Sequence, residues 1–241
     1  MNRGIYATAS GMVGAQHLLD TITNNLANAS TAGFKKEGVA FDDAYSQALR
    51  ANGGEGRDVG TLGTGPEMKG RFTDMAVGTI SVTGNPLDVA ISSAKGFFAV
   101  QDTDGLTRYV REGSFSKDAN GDLVNRSGYK VLDDRGVPVN LPQGDAKIEE
   151  DGTISVNGNP ESKIGVWDGK FTKLSGTEFA SANASVISEP ELKPGAIEGS
   201  NVNPIETMVE MISLNRGFEM GQRSIVQQDE LTEKLIQSLN Q

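Results

Sequence analysis

Residues 203–214, Asn203-Pro204-Ile205-Glu206-Thr207-Met208-Val209-Glu210-Met211-Ile212-Ser213-Leu214, begin the segment that decides the fold. Asn203 can accept hydrogen bonds from the unpaired amides of a first helical turn, and Pro204 suits the first helical position. No further proline follows before Gln241. Apolar residues then recur at two heptad positions. They are Met211, Leu214, Phe218, Ile225, Leu235 and Leu239. The pattern predicts one long amphipathic helix.

A second amphipathic segment covers residues 2–29. Its heptad seam consists of Ile5, Met12, Leu19 and Leu26 at one position and Thr8, Ala15, Ile22 and Ala29 at the other. The seam is thin because Thr8 and Ala15 are small, and each glycine in this stretch lowers helix stability by about 1 kcal/mol. The segment therefore predicts a helix that needs a partner.

The middle of the chain has the pattern of an all-β domain. Short apolar runs rich in β-branched and aromatic residues alternate with turn dipeptides from about residue 76 to residue 202. The turn dipeptides are Gly84-Asn85, Asp104-Gly105, Asn120-Gly121, Asp151-Gly152, Asn157-Gly158 and Asp168-Gly169. Such dipeptides favour tight hairpins because their residues tolerate positive φ.

Residues 34–75 connect these regions. Their first part has a briefly helical pattern, and glycine-rich stretches at 51–56 and 60–66 follow. We expect an α+β protein in which residues 1–33 and 203–241 form a coiled-coil-like helical domain. Residues 34–75 are expected to form an extended linker, and residues 76–202 a β-rich domain.

Composition excludes several classes of function. Lys and Arg number 22 against 32 Asp and Glu, so the net charge is −10, which disfavours a nucleic-acid partner. The chain has no cysteine, which removes disulfides, thiolate metal sites and thiol catalysis. It shows no apolar run of the roughly 20 residues that cross a bilayer. We expect no cofactor, no metal, no small-molecule substrate and no membrane insertion.

Residues capable of chemistry are scarce. His17 is the only histidine and lies in the first amphipathic segment, where a place on the helix surface or at an interface is the better interpretation. The acidic residues near 133 and 150 fit solvated turns better than a catalytic pair. A polysaccharide-cleaving domain is the alternative, and it would need two carboxylates roughly 5 to 9.5 Å apart across a cleft.

The feature that requires explanation is the pair of amphipathic ends, whose apolar stripes must be buried somewhere. Packing against neighbouring subunits buries such stripes from more sides than pairing of the two ends alone. Two other arrangements remain open. Both helices could fold back on the sheet and complete one core, or the chain could be a self-contained binding module.

The stretch Asn24-Asn25-Leu26-Ala27-Asn28-Ala29-Ser30-Thr31-Ala32-Gly33-Phe34-Lys35 closely resembles the N-terminal signature of the bacterial flagellar rod and hook proteins. The resemblance continues through residues 84–91, 96–100 and 111–115. Residues 198–206, which include Asn201, and residues 216–220 are most similar to the proximal rod members. Distal rod or hook-type members are the alternative.

The resemblance implies a structural subunit of the periplasmic rod of the flagellar basal body, without enzymatic activity. Its terminal helices would pair at the centre of a tubular axial structure. The implied partners are further copies of the chain, other rod proteins and the flagellar type III export apparatus. We expect Asn24, Asn25 and Asn28 to orient the end of the first helix through hydrogen bonds to backbone, and Gly33 to supply a left-handed stop. The expected assembly residues are Ile5, Met12, Leu19, Ile22, Asn24, Asn25, Leu26, Asn28, Gly33, Phe34, Asn201, Asn203, Met211, Leu214, Phe218, Ile225, Leu235 and Leu239.

Overall fold

The structure is a computed structural model that describes residues 3–43, 46–50, 58–63 and 66–239. In these residues a helix at each end flanks a run of strands, which confirms the predicted α+β class. Helix α1 spans Arg3–Ala27 and helix α2 spans Pro204–Leu239. Asn203 caps α2 as predicted, because its Oδ1 accepts the amides of Ile205 at 3.1 Å and Glu206 at 3.4 Å.

Short strands fill the chain between the helices. The first ten are β1 (Glu37–Asp43), β2 (Ser46–Arg50), β3 (Asp58–Gly63), β4 (Pro66–Thr73), β5 (Ile80–Val82), β6 (Val89–Ile91), β7 (Phe97–Gln101), β8 (Thr107–Val110), β9 (Phe115–Lys117) and β10 (Leu123–Asn125). The others are β11 (Lys130–Val131), β12 (Ala146–Ile148), β13 (Thr153–Val156), β14 (Asn159–Lys163), β15 (Val166–Asp168), β16 (Thr172–Ser175), β17 (Glu178–Ala180), β18 (Ser185–Val186), β19 (Leu192–Pro194) and β20 (Ala196–Glu198).

The chain forms two compact units. The helix unit comprises Met1–Ala27, Glu37–Phe72 and Asn203–Gln241, and the β unit comprises Asn28–Lys36 and Thr73–Val202. The chain therefore passes between the units four times. Each unit is built from segments that are distant in sequence.

The helix unit contains β1–β4 besides the two helices. Strand β1 pairs with β4, and β2 pairs with β3. The predicted short helix after Phe34 is wrong, because β1 occupies that stretch. Its partner β4 lies about 25 residues further on, and the Phe72 ring of β4 lies directly over Gly38 of β1. The glycine-rich residues 51–57 and 64–65 of the expected linker lie outside the described residues.

The β unit is organised around one large sheet with the strand order β16-β17-β8-β7-β11-β10-β9, in which β15 also pairs with β7 and β18. Four predicted hairpins are confirmed, β7/β8, β9/β10, β12/β13 and β13/β14. The last has positive φ at both Asn157 and Gly158, 53° and 84°, as its Asn-Gly turn requires.

Two predicted hairpins are wrong. Gly84-Asn85 does not join paired strands, since β5 pairs with β20 and β6 pairs with β19. Asp168-Gly169 likewise follows β15, whose partners are β7 and β18 and not β16. In both places strands from distant parts of the chain occupy the pairing positions.

Three turns share one local arrangement, in which an aspartate carboxylate accepts hydrogen bonds from backbone amides of the same loop. Oδ1 of Asp102, Asp118 and Asp133 each accepts two backbone amides, two and four residues further on, at 2.8–2.9 Å. Short polar side chains stabilise turns in this way. The carboxylate of Asp133 therefore stabilises the turn in which it lies.

The core of the β unit has two clusters. The larger one is assembled from residues between Val89 and Leu192, including Phe98, Leu123 and Ile154, all of them fully or almost fully buried. The smaller one is aromatic and contains Phe97, Tyr109 and Phe179 with Trp167 at its edge. Trp167 is the only tryptophan of the chain, so its fluorescence reports on the β unit alone.

Candidate assembly surface and its anchoring cluster

Helices α1 and α2 pack against each other within the helix unit. The Met12 side chain lies against Gly221, where an added Cβ would stand 3.2 Å from Met12 Cγ. One shallow groove between the helices is lined by Ile22 of α1 and Leu214 of α2, and another by Met12 together with Phe218 and Ile225. Ile22, near the end of α1, lies beside Leu214 near the start of α2, whereas Met12 lies beside residues further along α2. The helices therefore run antiparallel.

The predicted apolar seam residues fall into three groups. Met12, Ile22, Leu214, Phe218 and Ile225 line the grooves between the helices. Leu19, Leu26 and Met211 are half-buried. The side chains of Ile5, Leu235 and Leu239 lie outside the described residues. The structure thus brings part of the predicted set together.

Helix α2 also carries a second apolar face, which lies outside the predicted heptad positions. Its first turns expose Ile205, Met208, Val209 and Ile212 at the i, i+3, i+4, i+7 spacing. Met220, Val226 and Leu231 extend the same side further along the helix. These seven side chains are 49 % to 75 % exposed. At 100° per residue Ile205, Met208 and Ile212 lie opposite the seam that faces α1. Val209 lies at the edge of this face, where it also lines the groove between the helices. A second period count starting from Ile205 would have found it.

A buried ionic cluster lies in the β unit, where three distant segments meet. The Glu198 carboxylate is fully buried. Its Oε1 accepts a hydrogen bond from Lys35 Nζ at 2.7 Å, and its Oε2 accepts one from Arg111 Nε at 2.6 Å. Oε1 also accepts the Gly78 amide at 2.8 Å. Both carboxylate oxygens therefore have donors.

The two cations of this cluster have further partners. Lys35 Nζ donates to the Ala76 carbonyl at 2.6 Å, and Arg111 donates to the carbonyls of Ile91, Ser93 and Gly96. Burial lowers the pKa of Lys35, and the bond to Glu198 opposes that shift. The cluster holds two cations and one anion, and backbone carbonyls solvate the surplus positive charge.

Asn201 joins the chain passages beside this cluster. Its Oδ1 accepts the Lys36 amide at 2.6 Å, and its Nδ2 donates to the carbonyls of Asp74 at 3.0 Å and Ala76 at 3.2 Å. The Asp74 amide in turn donates to the Lys36 carbonyl at 2.8 Å. The Asn201 side chain therefore bonds residues next to three of the four points where the chain passes from one unit to the other. Asn201 acts inside the chain, and its predicted part in assembly remains a prediction.

The predicted signature asparagines have different environments. Asn25 is buried in the helix unit, where Nδ2 donates to the Glu37 carbonyl at 2.8 Å and Oδ1 accepts the Glu37 amide at 2.9 Å. The expected bonds to backbone are thus present at Asn25, but they hold the start of β1. Asn28 is half-buried and accepts the Thr31 hydroxyl at 3.2 Å. Asn24 is exposed.

Gly33 and Phe34 are buried in the β unit. Gly33 has φ of +68° and donates its amide to the Glu198 carbonyl at 2.8 Å. Its predicted role as a helix stop is wrong, because α1 already ends at Ala27. The Phe34 ring is fully buried beneath Lys173 Nζ, 4.0 Å from the ring centroid. Any contribution of these two residues to assembly is therefore indirect.

The other buried carboxylates are also committed to partners. Asp88 accepts Thr83 Oγ1 at 2.6 Å, and Asp122 is 2.6 Å from Lys130 Nζ. Glu112 is 3.3 Å from Arg126 Nε. Among the described residues no group of three or more His, Cys, Asp or Glu could hold a metal ion. No helix in that part of the chain has the length and apolar character to cross a membrane.

Comparison with known proteins gives the family. Three family models match this chain, the flagella basal body rod protein model at residues 5–35, the flagellar hook protein FlgE/F/G D1 domain at 90–156 and the flagellar basal body rod FlgEFG protein C-terminal model at 193–238. The flagellar basal-body rod protein FlgG of Bacillus subtilis (strain 168) is 31% identical, over 98% of both chains. The chain belongs to the flagellar basal-body rod protein family.

Other members of the family give similar values. FlgG of Borreliella burgdorferi is 33% identical over 96% of both chains. FlgF of Mesorhizobium japonicum is 31% identical over 91% of this chain and 90% of its own. Relatives named FlgG and relatives named FlgF therefore both align with nearly the whole of this chain.

Each of the three segments matched by rod-family models supplies one charge of the buried cluster. Lys35 ends the first segment, Arg111 lies in the second and Glu198 in the third. All three residues lie inside the motifs that resemble the rod and hook proteins, but no spacing in the sequence marks them as partners. The available signal was a charged residue within an apolar context, as in Gly33-Phe34-Lys35.

The first prediction concerns Glu198→Gln in this rod-family chain. Removing the anion leaves two buried cations without a counter-charge, which destabilises a protein by about 3–5 kcal/mol. We expect that loss in the free energy of unfolding of the β unit, measured by urea titration of Trp167 fluorescence. Arg135→Gln, which removes one partner of the exposed Arg135–Asp134 ion pair, serves as the control and should change stability by less than about 1 kcal/mol. Equal effects of the two changes would contradict the importance of the cluster.

The second prediction concerns Gly33→Ala. A Cβ at Gly33 would overlap the Glu112 amide nitrogen and the Arg111 carbonyl carbon. Gly128 has a similar φ of +82° but no neighbouring atom within 4 Å of the added Cβ. Gly128→Ala therefore measures the backbone strain alone, about 1–2 kcal/mol. Gly33→Ala should cost about 1–3 kcal/mol more through overpacking, measured by the same titration. Equal losses of stability in the two variants would show that the backbone near Gly33 moves away from the added Cβ without cost.

The third prediction concerns pH. Burial raises the pKa of the Glu112 carboxyl above its usual 4.5, and Arg126 opposes the shift. An acid with a raised folded pKa binds more protons in the folded state, so its ionisation lowers stability as the pH rises from about 4.5 through the raised value. Glu112→Gln should remove this decline and increase stability at pH 7. Urea titrations between pH 4 and 8 measure it, and an unchanged pH slope would refute it.

Proposed function

We propose that the protein is a structural subunit of the bacterial flagellar basal-body rod. It polymerises through its terminal helices into the axial drive shaft. The interaction is a head-to-tail interface that does not close on itself and repeats with screw symmetry. The role is structural, with no chemical reaction, and its place is the periplasmic rod of the basal body.

The exposed apolar face of α2 carries this proposal. A stable monomer seldom leaves a continuous row such as Ile205, Met208, Val209 and Ile212 in water, and these side chains are about half to three-quarters exposed. The opposite side of α2 already packs on α1. A second partner is therefore needed for the exposed face, and a neighbouring subunit of a rod supplies it.

We further propose that the terminal helices form a coiled-coil-like axial core. The domain division follows this function, with residues 1–33 and 203–241 in the axial core, 34–75 as an extended link between layers and 76–202 as the outer β-rich domain. The antiparallel packing of α1 and α2 supports the first part. The described strands β1–β4 give the linking segment partners of its own.

The proposed partners are further copies of the chain and other rod proteins. Family membership supports both. We also propose passage through the flagellar type III export apparatus, which suits a chain without disulfides. A thin helical seam with Thr8, Ala15 and Gly221 in it fits ends that are completed by neighbours.

Within the rod we propose the proximal position, which the motif at residues 198–206 favours. A distal rod or hook-type position is the alternative. Cross-linking of isolated basal bodies, followed by mass spectrometry of the linked peptides, identifies the neighbours of α2. Links to subunits of the distal rod alone would replace the proximal assignment.

The fourth prediction concerns Ile212→Asp on the exposed face of α2. The side chain is half exposed, so the isolated chain should fold with stability within about 1 kcal/mol of wild type. A carboxylate buried without a partner at a subunit interface is strongly unfavourable. Produced in a flagellated bacterium that lacks its own copy, the variant should be absent from isolated rods and the cells should not swim.

Gln222→Asp is the matched control, because it adds the same charge to an exposed α2 position outside this face. It should assemble and support swimming. If the wild-type chain itself restored no rods, the rod function would be refuted. If wild type and Ile212→Asp assembled equally, the function would stand and the assigned face would be wrong.

A further inference from the structure

The exposed face of α2 contains two oxidisable side chains. Met208 lies between Ile205 and Ile212 in the first turns of the helix, and Met220 lies further along it. Met208 is 49 % exposed and Met220 is 65 % exposed. We propose that these two methionines form a modification site for peroxide oxidants. Oxidation of the free subunit there makes the face polar and blocks incorporation of the subunit into the rod.

The composition of the chain directs oxidants to methionine. Sulfur is the most readily oxidised atom of protein side chains, and this chain has seven methionines and no cysteine. In the described part of the chain, Met68 is 36 % exposed, and Met12, Met75 and Met211 are half-buried. Because peroxide must reach the sulfur, the two methionines on the exposed face of α2 are the most accessible targets among them.

The reaction is a single oxygen transfer. A lone pair of the thioether sulfur attacks one oxygen of hydrogen peroxide, and the S–O bond forms as the O–O bond breaks. The sulfur is oxidised to a sulfoxide, and the peroxide is reduced to water. A thioether is only a weak hydrogen-bond acceptor, whereas the sulfoxide oxygen is a strong one. An apolar, flexible side chain thereby becomes a polar one.

Oxidation has little effect on the fold of the isolated chain. An exposed sulfoxide keeps its hydrogen bonds to water, and surface changes of this kind leave stability nearly unaltered. The contacts between α1 and α2 use other side chains, such as Met12 against Gly221 and Leu214 beside Ile22. The oxidised subunit therefore stays folded and loses only the apolar character of the exposed face.

The same oxygen is unfavourable once a neighbour covers the face. This step rests on the proposed function, in which a second subunit packs there. A polar oxygen buried without a donor destabilises the buried state. We expect each sulfoxide to weaken association about tenfold, which corresponds to about 1.4 kcal/mol. Two sulfoxides that act independently would weaken association about 100-fold.

Assembly and oxidation therefore exclude each other. A free subunit exposes both sulfurs to the oxidant, whereas a neighbouring subunit covers them in the rod. The site thus keeps out subunits that have reacted with an oxidant before assembly. The change is reversible, because methionine sulfoxide reductases restore the thioether, with one enzyme for each sulfoxide epimer.

Timed oxidation with hydrogen peroxide tests the reactivity of the site. Peptide mass spectrometry measures the rate at each methionine of the purified full-length chain. We expect Met208 and Met220 to react before Met12, whose side chain packs against Gly221. Trp167 fluorescence and the helix content by circular dichroism should not change. In isolated basal bodies that contain the chain, Met208 and Met220 should lose most of this reactivity.

A pair of double variants tests the effect on assembly. Met208→Gln with Met220→Gln places a polar acceptor at both positions permanently. Met208→Leu with Met220→Leu is the matched control, since Leu, Gln and Met have similar helix propensities and Leu keeps the face apolar without sulfur. In a flagellated bacterium that lacks its own copy, the glutamine variant should form no rods and the cells should not swim. The leucine variant should restore both.

Three results would overturn the proposal. Oxidation of Met12 as fast as Met208 and Met220 would show that the exposed face is not the preferred target. Equal oxidation rates in the free chain and in basal bodies would show that the rod leaves both sulfurs uncovered. Normal swimming of the glutamine variant would show that a polar atom at these positions is compatible with assembly. A wild-type chain missing from basal bodies would refute the proposed function itself, which the three results above leave intact.

Discussion

The buried carboxylate of Glu198 is the constraint on which the β unit depends. Lys35 and Arg111 are too polar to enter an interior alone, and each reaches its place only when the other segments of the chain are also there. The partners are 163 and 87 residues away from Glu198 in sequence. The close approach at Gly33, the burial of Phe34 and the bonds of Asn201 all occur around this carboxylate. An apolar cluster of equal size would stabilise the fold without demanding one particular arrangement of three segments.

The two units differ in how their side chains are accommodated. The β unit is closed by side chains that satisfy one another, with carboxylates bonded to cations or to the amides of their own turns. The helix unit exposes apolar surface, because α2 packs Phe218 and Ile225 on α1 and presents Ile205 and Ile212 on its opposite side. A subunit that folds by itself and also assembles needs both properties. Here they lie in separate parts of the chain.

Sequence patterns predicted the elements that are decided locally. The cap at Asn203, the extent of α2 and the Asn157-Gly158 turn follow from a few adjacent residues. The strand at Glu37–Asp43 was missed because its pairing partner β4 decides its structure, and pairing across a gap leaves no periodic signal. The hairpins expected at Gly84-Asn85 and Asp168-Gly169 failed for the same reason. The buried charges were not predicted, because lysine, arginine and glutamate are normally exposed and no spacing rule connects Lys35 with Glu198.

The distance in sequence between Lys35 and Glu198 also has a consequence for protein synthesis. A ribosome adds roughly 5–20 residues per second, so Lys35 is added to the chain about 8–33 seconds before Glu198. During that interval Lys35 and Arg111 have no anion to accompany them into an interior. The nascent chain can form its local hairpins, but the β unit closes only near the end of translation.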